Sequence, residues 1–527
     1  MRATWAAAAL TAIALASCIG GGTEQTTTAR PSPSVSLRAE ATPLALRDRV
    51  TLYAAEAGDS GGTVARGDFN GDDFTDVLFA AAFADGADNR RPDGGEAYVF
   101  LGPFQPGETR DAAAAEQDLT VYVADEGDQS GRAAAAADVN GDGIDDIILG
   151  APFGDGPDGK RADAGEIHVL FGSPRLGREL RAADLRQGSD ISLYGRGEGD
   201  LAGFTVTTAD LNSDGAADLI AGAFWADGPL RDRPDAGEVY VVLGRSDLAG
   251  MVDFAAGEQD ATVYGASAGD RLGENVDAGD VNGDGLDDLV LSAPFASALG
   301  GADSAGQTYV IHAPGQPQVD LSLGGQDITI YGADEGDQLG HSTAVGDADG
   351  DGSSDILMGL VSSDGEGNAW RLAGEAVLVL GGQLPDVLDM AAGDEDFLIY
   401  GADSIDRLGR SAALGDIDGD GRAEPLLGAP DGDGERNASP QSGEVYVLPD
   451  LDVLASVTRL PEGALLYAGD DAGDSLASSI FGRPALQTGD FDGDDAEEIL
   501  VVAPLADGPG NRRRDCGVAY LLFAATD

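Results

Sequence analysis

Asp138-Val139-Asn140-Gly141-Asp142-Gly143-Ile144-Asp145-Asp146, followed at once by Ile147-Ile148-Leu149-Gly150-Ala151-Pro152, is the stretch on which the fold turns. An acidic nonapeptide runs directly into a short apolar segment, and the chain does this seven times. The other copies begin at Asp68, Asp210, Asp280, Asp347, Asp416 and Asp490, with successive starts 70, 72, 70, 67, 69 and 74 residues apart. A period near 70 is too long for the common helical or leucine-rich repeats, so the rest of the unit has to decide the architecture.

Each unit holds four strand candidates. One enters the nonapeptide (Ser342-Thr343-Ala344-Val345) and one leaves it (Leu289-Val290-Leu291-Ser292). A third follows a loop of about a dozen residues (Val239-Tyr240-Val241-Val242), and a fourth follows a polar connection (Ile328-Thr329-Ile330-Tyr331). These runs are short, rich in Val, Ile and Tyr, and bounded by Gly, Asp and Pro, which is how strands read. Seven units of four antiparallel strands predict an all-β, seven-bladed propeller. The ends of the chain agree: Val50-Thr51-Leu52-Tyr53 is of the fourth-strand type, whereas the chain finishes on a third-strand type, Val518-Ala519-Tyr520-Leu521. The ring is therefore expected to close with the N-terminal strand completing the last blade, which also hides an edge.

Oxygen-bearing side chains recur at positions 1, 3, 5 and 9 of the nonapeptide, with a backbone carbonyl to spare at position 7. That spacing wraps alternating oxygens around one hard cation, and the flexible six-to-eight-oxygen shell of Ca²⁺ suits it better than the strict octahedron of Mg²⁺. The candidate ligands are Asp68, Asn70, Asp72, Phe74 and Asp76 in the first loop and Asp138, Asn140, Asp142, Ile144 and Asp146 in the second. The third offers Asp210, Asn212, Asp214, Ala216 and Asp218, and the fourth Asp280, Asn282, Asp284, Leu286 and Asp288. Then come Asp347, Asp349, Asp351, Ser353 and Asp355, next Asp416, Asp418, Asp420, Arg422 and Glu424, and last Asp490, Asp492, Asp494, Ala496 and Glu498. Up to seven Ca²⁺ are expected. Position 6 is Gly in five copies, whereas Asp73 and Asp495 stand there in the first and seventh, so those two loops are expected to be the weakest. An EF-hand would need a Glu at position 12 between helices, and here strands begin at once.

These units resemble FG-GAP repeats, the calcium-binding propeller units of integrin alpha subunits and of many bacterial surface proteins. The resemblance covers about residues 48 to 527. Gly150-Ala151-Pro152 and Gly428-Ala429-Pro430 carry the GAP element, while the FG element is reduced to Leu272-Gly273, Leu339-Gly340 and Leu408-Gly409. The resemblance implies calcium binding and a role in surface recognition. It does not carry integrin ligand specificity across, because no inserted adhesion domain or leg domains are seen.

The chain carries 31 Lys and Arg against 94 Asp and Glu, a net charge of −63, which excludes a nucleic-acid partner. At positions 1, 3, 5 and 9 the loops hold three carboxylates in each of the first four copies and four in each of the last three, 24 of the 94 acids; seven Ca²⁺ would bring the charge only to −49. The surface is acidic in its own right. At the N-terminus, Arg2 precedes an apolar run from Ala6 to Ala16, too short to span a bilayer, and Leu15-Ala16-Ser17-Cys18 resembles the lipobox of bacterial lipoproteins. The expected organisation is a signal peptide over 1–17, a tether over 18–47 with Cys18 as lipid anchor, and the propeller over 48–527. An ordinary secretory signal in which Cys18 is incidental is the alternative. Secretion across the inner membrane and anchoring in the cell envelope, at the outer membrane or cell surface, follow from the lipoprotein reading, with the lipid as the sole membrane contact.

Several tempting motifs dissolve in the repeat register. Arg66-Gly67-Asp68 ends on a loop ligand, and Gly473-Asp474-Ser475-Leu476 occupies the slot of Gly336-Asp337-Gln338-Leu339. His168 stands where other units have Tyr98 and Tyr240, His341 where they have Glu274 and Arg410, and Cys516 where they have Ala236 and Ser442. On the face opposite the metal hairpins, Asp59, Asp128, Asp200, Asp270, Asp337, Asp406 and Asp474 recur, either as turn residues bonding nearby amides or as a recognition ring. Ion pairs Asp155 to Arg161 and Asp227 to Arg233 are also suggested there. The function expected is a monomeric calcium-binding propeller, not an enzyme, that binds an extracellular protein or polysaccharide, as in adhesion; a phospholipase or polysaccharide-cleaving enzyme is the alternative.

Overall fold

A computed structural model describes residues 46–527, apart from 123–124, 158, 186–187, 313–315, 435–436, 450, 452–453, 455, 461–464, 480–483, 495 and 525–527. The expected signal peptide, Cys18 and the expected tether up to residue 45 lie outside the described residues, as does Asp495, while Leu46 and Arg47 already belong to the first strand. Seven sheets form seven blades, numbered here in the order of their loops. Blade 3 shows the plan. Its inner strand Thr205–Ala209 pairs antiparallel with Asp218–Ala223, then come Glu238–Val242 and Ala261–Tyr264. Blade 7 is closed by the N-terminal strand: Leu46–Tyr53 pairs antiparallel with Val518–Ala524 over its whole length.

Four strands per blade understate the structure. Gln318–Asp320, from the connection between the third and fourth strands of unit 4, adds a fifth strand to blade 3, parallel to Ala261–Tyr264. Blades 1, 2, 4, 5 and 7 are extended in the same way, each by its successor. A three-residue polar segment such as Thr109–Asp111 does not read as a strand in isolation; it extends because the neighbouring blade presents an unpaired edge. Blade 6 has four strands among the described residues. Its successor, unit 7, has its third and fourth strands at opposite ends of the chain, so no continuous connection joins them.

The second strands are buried along their full length in all seven blades. Apolar side chains form seven clusters, each filling the wedge between neighbouring blades, as Ala209, Ile220, Val239, Leu289, Leu291 and Tyr309 do between blades 3 and 4. Inner strands do not pair with one another, so side chains bridge them. Thr205 Oγ1 donates to the Gly273 carbonyl (2.9 Å), Ser342 Oγ to Gly409 (2.8 Å) and Ser411 Oγ to Ala477 (2.9 Å). Gly237, at φ +86°, lies so close to the next blade that a Cβ would come within 2.1 Å of the Leu272 carbonyl oxygen. A cavity of about 730 Å³ runs between the inner strands. Among the described residues no helix is long and apolar enough to cross a membrane.

Candidate metal loops and the two faces

Each acidic loop is folded by its own carboxylates. In the first, Asp68 Oδ1 accepts from the amides of Gly71 (2.7 Å) and Asp72 (3.1 Å), and Oδ2 from Asp73 (2.8 Å). Position 5 turns back on position 7: Asp142 Oδ1 accepts from Ile144 N–H at 3.0 Å, and Asp284 from Leu286 at 3.0 Å. Position 4 is left-handed as well as position 6. Gly141 has φ +73° and Gly143 +86°, while Asp73 is held at +68° and Ser213 at +54°.

Position 9 differs from the other candidate ligands. Asp76, Asp146, Asp218 and Asp288 are fully buried, and Asp355, Glu424 and Glu498 nearly so. One Asp76 oxygen accepts from Phe69 N–H (3.0 Å) inside the loop, and the other from Gly102 N–H (2.8 Å) beyond the third strand. Asp146 and Asp355 repeat this pair of bonds. The residue thus pins the loop to its blade. Burial, aided by the neighbouring loop carboxylates, pushes Asp76 and Asp146 up to about 7, Asp218 and Asp355 to about 6, and Glu498 to about 8.

The donor set fits a hard cation. Carboxylate oxygens of Asp347, Asp349 and Asp351 lie within 4.8 Å of one another. So do those of Asp416, Asp418 and Glu424, and of Asp490, Asp492 and Glu498, where the longer Glu at position 9 reaches into the loop. In the first loop the buried Asn70 Oδ1 has no hydrogen-bond partner, an orphan acceptor of the kind a cation would satisfy. Loops are also joined around the ring. Asp145 N–H donates to the Asp68 carbonyl (3.1 Å), Ala217 to Asp138 (2.9 Å) and Ser354 to Asp280 (2.7 Å).

The opposite face carries the recurrent aspartates, all 9% exposed or less. Asp59 Oδ2 accepts from Glu56 N–H, Asp128 from Asp125, Asp270 from Ser267 and Asp474 from Asp471, each at 2.9 to 3.0 Å. These four are turn residues, whereas Asp200 is held through both oxygens by Arg231; burial pushes Asp59 up to about 6 and Asp337 to about 8. The suggested ion pairs are not the ones formed. Arg161 reaches Asp253 (2.7 Å) and Arg233 reaches Asp320 (2.8 Å), both on the parallel strand donated by the next unit, while Asp227 pairs with Arg231 (3.0 Å). Arg91 to Asp184 and Arg513 to Asp111 repeat this clasp. In blade 5 its chemistry is exchanged: Arg459 on the added strand stacks over Trp370, 3.7 Å from the ring centroid. Around the channel, Arg132 lies over Phe204 and His341 sits 3.8 Å from Glu274.

His168 is buried between Ser192 Oγ and Glu166 (both 3.1 Å). Cys516 is buried and its thiol pushed up to about 12 by desolvation, while Arg66 lies 3.7 Å from Glu497. A feature of this face not anticipated from the repeats is a one-sided run of half-buried aromatics. Phe83, Phe153, Trp225 and Phe295 open the second-to-third loops of blades 1 to 4, where blades 5 to 7 have Ser362, Asp431 and Leu505. The signal was available as an aromatic two residues after Ala81, Ala151, Ala223 and Ala293.

Comparison with known proteins agrees with the geometry. The family model described as FG-GAP repeat matches residues 130–170, 202–242, 272–311 and 408–448. Integrin alpha pat-2 of Caenorhabditis elegans is 33% identical over 276 residues, 49% of this chain and 19% of that protein. Integrin alpha-PS2 of Drosophila melanogaster is 28% identical over 232 residues, 42% of this chain and 16% of that protein. Phosphatidylinositol-glycan-specific phospholipase D of Mus musculus is 31% identical over 156 residues, 30% of this chain and 18% of that protein. The chain thus spans about a fifth of the length of these relatives. Among solved structures, rhamnogalacturonan lyase YesW aligns with a TM-score of 0.40 and 12% identity, over 91% of this chain and 75% of that one. Four matched repeats and integrin alpha relatives make this seven-bladed propeller similar to FG-GAP repeat proteins.

Proposed function

We propose that this propeller is a calcium-loaded recognition module of the cell envelope, with its ions on the loop face and an extracellular protein or polysaccharide bound on the other. The division of the faces carries the reading: acidic loops are stitched to their blades on one side, and Phe83, Phe153, Trp225 and Phe295 line up on the other. Aromatic faces supply contact area at low entropic cost, to sugar rings and side chains alike. With the site loaded, the ion would neutralise carboxylates such as Asp347, Asp349 and Asp351 and hold the hairpin against the blade.

The test is a glycan and protein array probed with and without calcium, using the wild type and Phe153→Ala/Trp225→Ala. Loss of binding in the variant at unchanged melting temperature and calcium content supports the reading; undiminished binding overturns the assignment of the face. Cys18→Ser is expected to move the protein out of the membrane fraction, and continued lipid labelling would remove Cys18 as the anchor. The phospholipase D relatives favour a second, enzymatic reading, checked by assaying hydrolysis of phosphatidylinositol-glycan by the purified chain.

A further inference from the structure

We propose that the outer edge of blade 6 is the dock for a segment of the chain's own N-terminal region, Ser34-Val35-Ser36-Leu37, laid parallel to Leu465–Ala468 as a fifth strand. Blades 1 to 5 and 7 each have their fourth strand covered by a parallel strand from the next unit, whereas blade 6 ends on Leu465–Ala468 among the described residues. Such an edge offers a row of backbone donors and acceptors to an extended chain. The unit due to cover it is the seventh, whose fourth strand is Leu46–Tyr53, so the covering segment has to come from upstream of Leu46. Other stretches outside the described residues are four residues long or shorter, whereas 1–45 leads directly into that strand.

The six fifth strands share a pattern that this segment repeats. In blade 3, Thr262 N–H donates to the Pro317 carbonyl (3.0 Å), and Val319 and Leu321 on either side of Asp320 are buried. The residue after the strand turns inward elsewhere too, as Ala112, Leu185, Phe254, Met390 and Leu460 do. Leu185, Met390 and Leu460 also donate their N–H groups to the carbonyls of Tyr122, Tyr331 and Tyr400 on the covered strand, at 2.9 to 3.0 Å. Pro33-Ser34-Val35-Ser36-Leu37 reproduces Pro317-Gln318-Val319-Asp320-Leu321 at its Pro, Val and Leu, with polar residues between. The link is long enough: 12 residues, 38–49, separate Leu37 from Val50, where six, 322–327, separate Leu321 from Ile328. It also starts beside the edge, since Arg49 pairs with Asp470 (2.6 Å) and lies over the Tyr467 ring, 5.7 Å from its centroid.

The clasp position agrees with this occupant. Arg91, Arg161, Arg233 and Arg513 meet an Asp on the fifth strand, Trp370 meets Arg459, and blade 4 sets Ala302 against Asp389 without an ion pair. In blade 6 the position belongs to Ser439, whose N–H donates to the Asp433 carbonyl (2.7 Å) as that of Arg233 does to Asp227 (3.0 Å). A serine brings no charge for an acid to answer, and Ser36 brings no acid. Ala468 stands opposite Glu444 as Tyr264 stands opposite Glu238, and Tyr264 pairs with Asp320, so Ser36 falls beside Ala468. One consequence rests on the anchoring reading given above: the free tether then runs only from Cys18 to Pro33, and the propeller hangs from blade 6.

Hydrogen exchange on the full-length protein tests the docking without reference to membrane or ligand. In the wild type the amides of Val35 to Leu37 are expected to exchange at least about tenfold more slowly than those of Thr26 to Thr28. Val35→Asp/Leu37→Asp is expected to abolish that protection and to speed exchange at Leu465–Ala468, whereas Thr27→Asp/Thr28→Asp changes neither. Exchange of 35–37 as fast as 26–28 in the wild type overturns the proposal. Protection of Leu465–Ala468 that grows with protein concentration while 35–37 stays unprotected gives the edge to a second copy and overturns it too. The place of docking is tested by building blade 3's clasp into blade 6: Ser36→Asp/Ser439→Arg is expected to raise the melting temperature beyond the sum of the two single changes. Strictly additive changes would separate Ser36 from Ser439 and overturn docking on blade 6.

Discussion

At the scale of the residue, position 9 and position 6 of the loops have separable roles. Asp73 adopts φ +68°, a conformation that costs a non-glycine residue about 1 kcal/mol. Asp73→Gly is expected to raise stability by about that amount, read as a higher melting temperature in both calcium and chelator. The buried position 9 carboxylates set a pH dependence. Their folded pKa values, about 6 to 8, lie above the unfolded value near 4, so the folded state holds more protons and stability falls as pH rises through that window. Calcium-free protein is therefore expected to melt higher at pH 5 than at pH 8, with calcium narrowing the gap; the opposite slope would show that these groups do not dominate. The net charge of −63 acts in the same direction, as repulsion grows on ionisation.

At the scale of the element, the parallel fifth strand and its clasp hold successive units together. Arg233 makes two bonds to Asp320, at 2.8 and 2.9 Å, and although burial opposes it, the guanidinium holds that carboxyl below its usual value. Both side chains are largely buried, so Arg233→Ala is expected to cost about 1–2 kcal/mol, more than an exposed pair. A double-mutant cycle with Asp320→Ala measures the coupling, and a coupling near zero would reduce the clasp to incidental contact. In blade 5 the exchange to Trp370 and Arg459 predicts that Trp370→Arg alone destabilises, by setting two guanidinium groups against each other, and that adding Arg459→Asp restores the melting temperature.

At the scale of the whole molecule, closure and the ring of loops make the propeller one cooperative body. Deleting residues 46–55 removes the strand that completes blade 7 and strips Thr109–Asp111 of its partner, so the truncated chain is expected to aggregate, as light scattering would report. Loops bonded to their neighbours couple the candidate metal sites to the fold, and chelation is expected to lower the melting temperature of the whole chain in a single transition. Calorimetry giving one melting temperature in calcium and chelator alike would overturn that coupling.

The propeller, its seven units, its closure and the places of the acidic loops were legible in the sequence because each rests on local rules: period-2 strands, turn glycines and the nonapeptide repeat in register and reinforce one another. Only tertiary structure decided the rest. The fifth strands exist because a neighbouring blade offers an edge, not because Gln318-Val319-Asp320 is a strand former. Arg161 and Arg233 find Asp253 and Asp320 rather than the nearer Asp155 and Asp227 because the ring brings the next unit alongside. The burial that sets position 9 apart from the other candidate ligands depends on which side chains from distant segments meet, and no spacing along one chain records that.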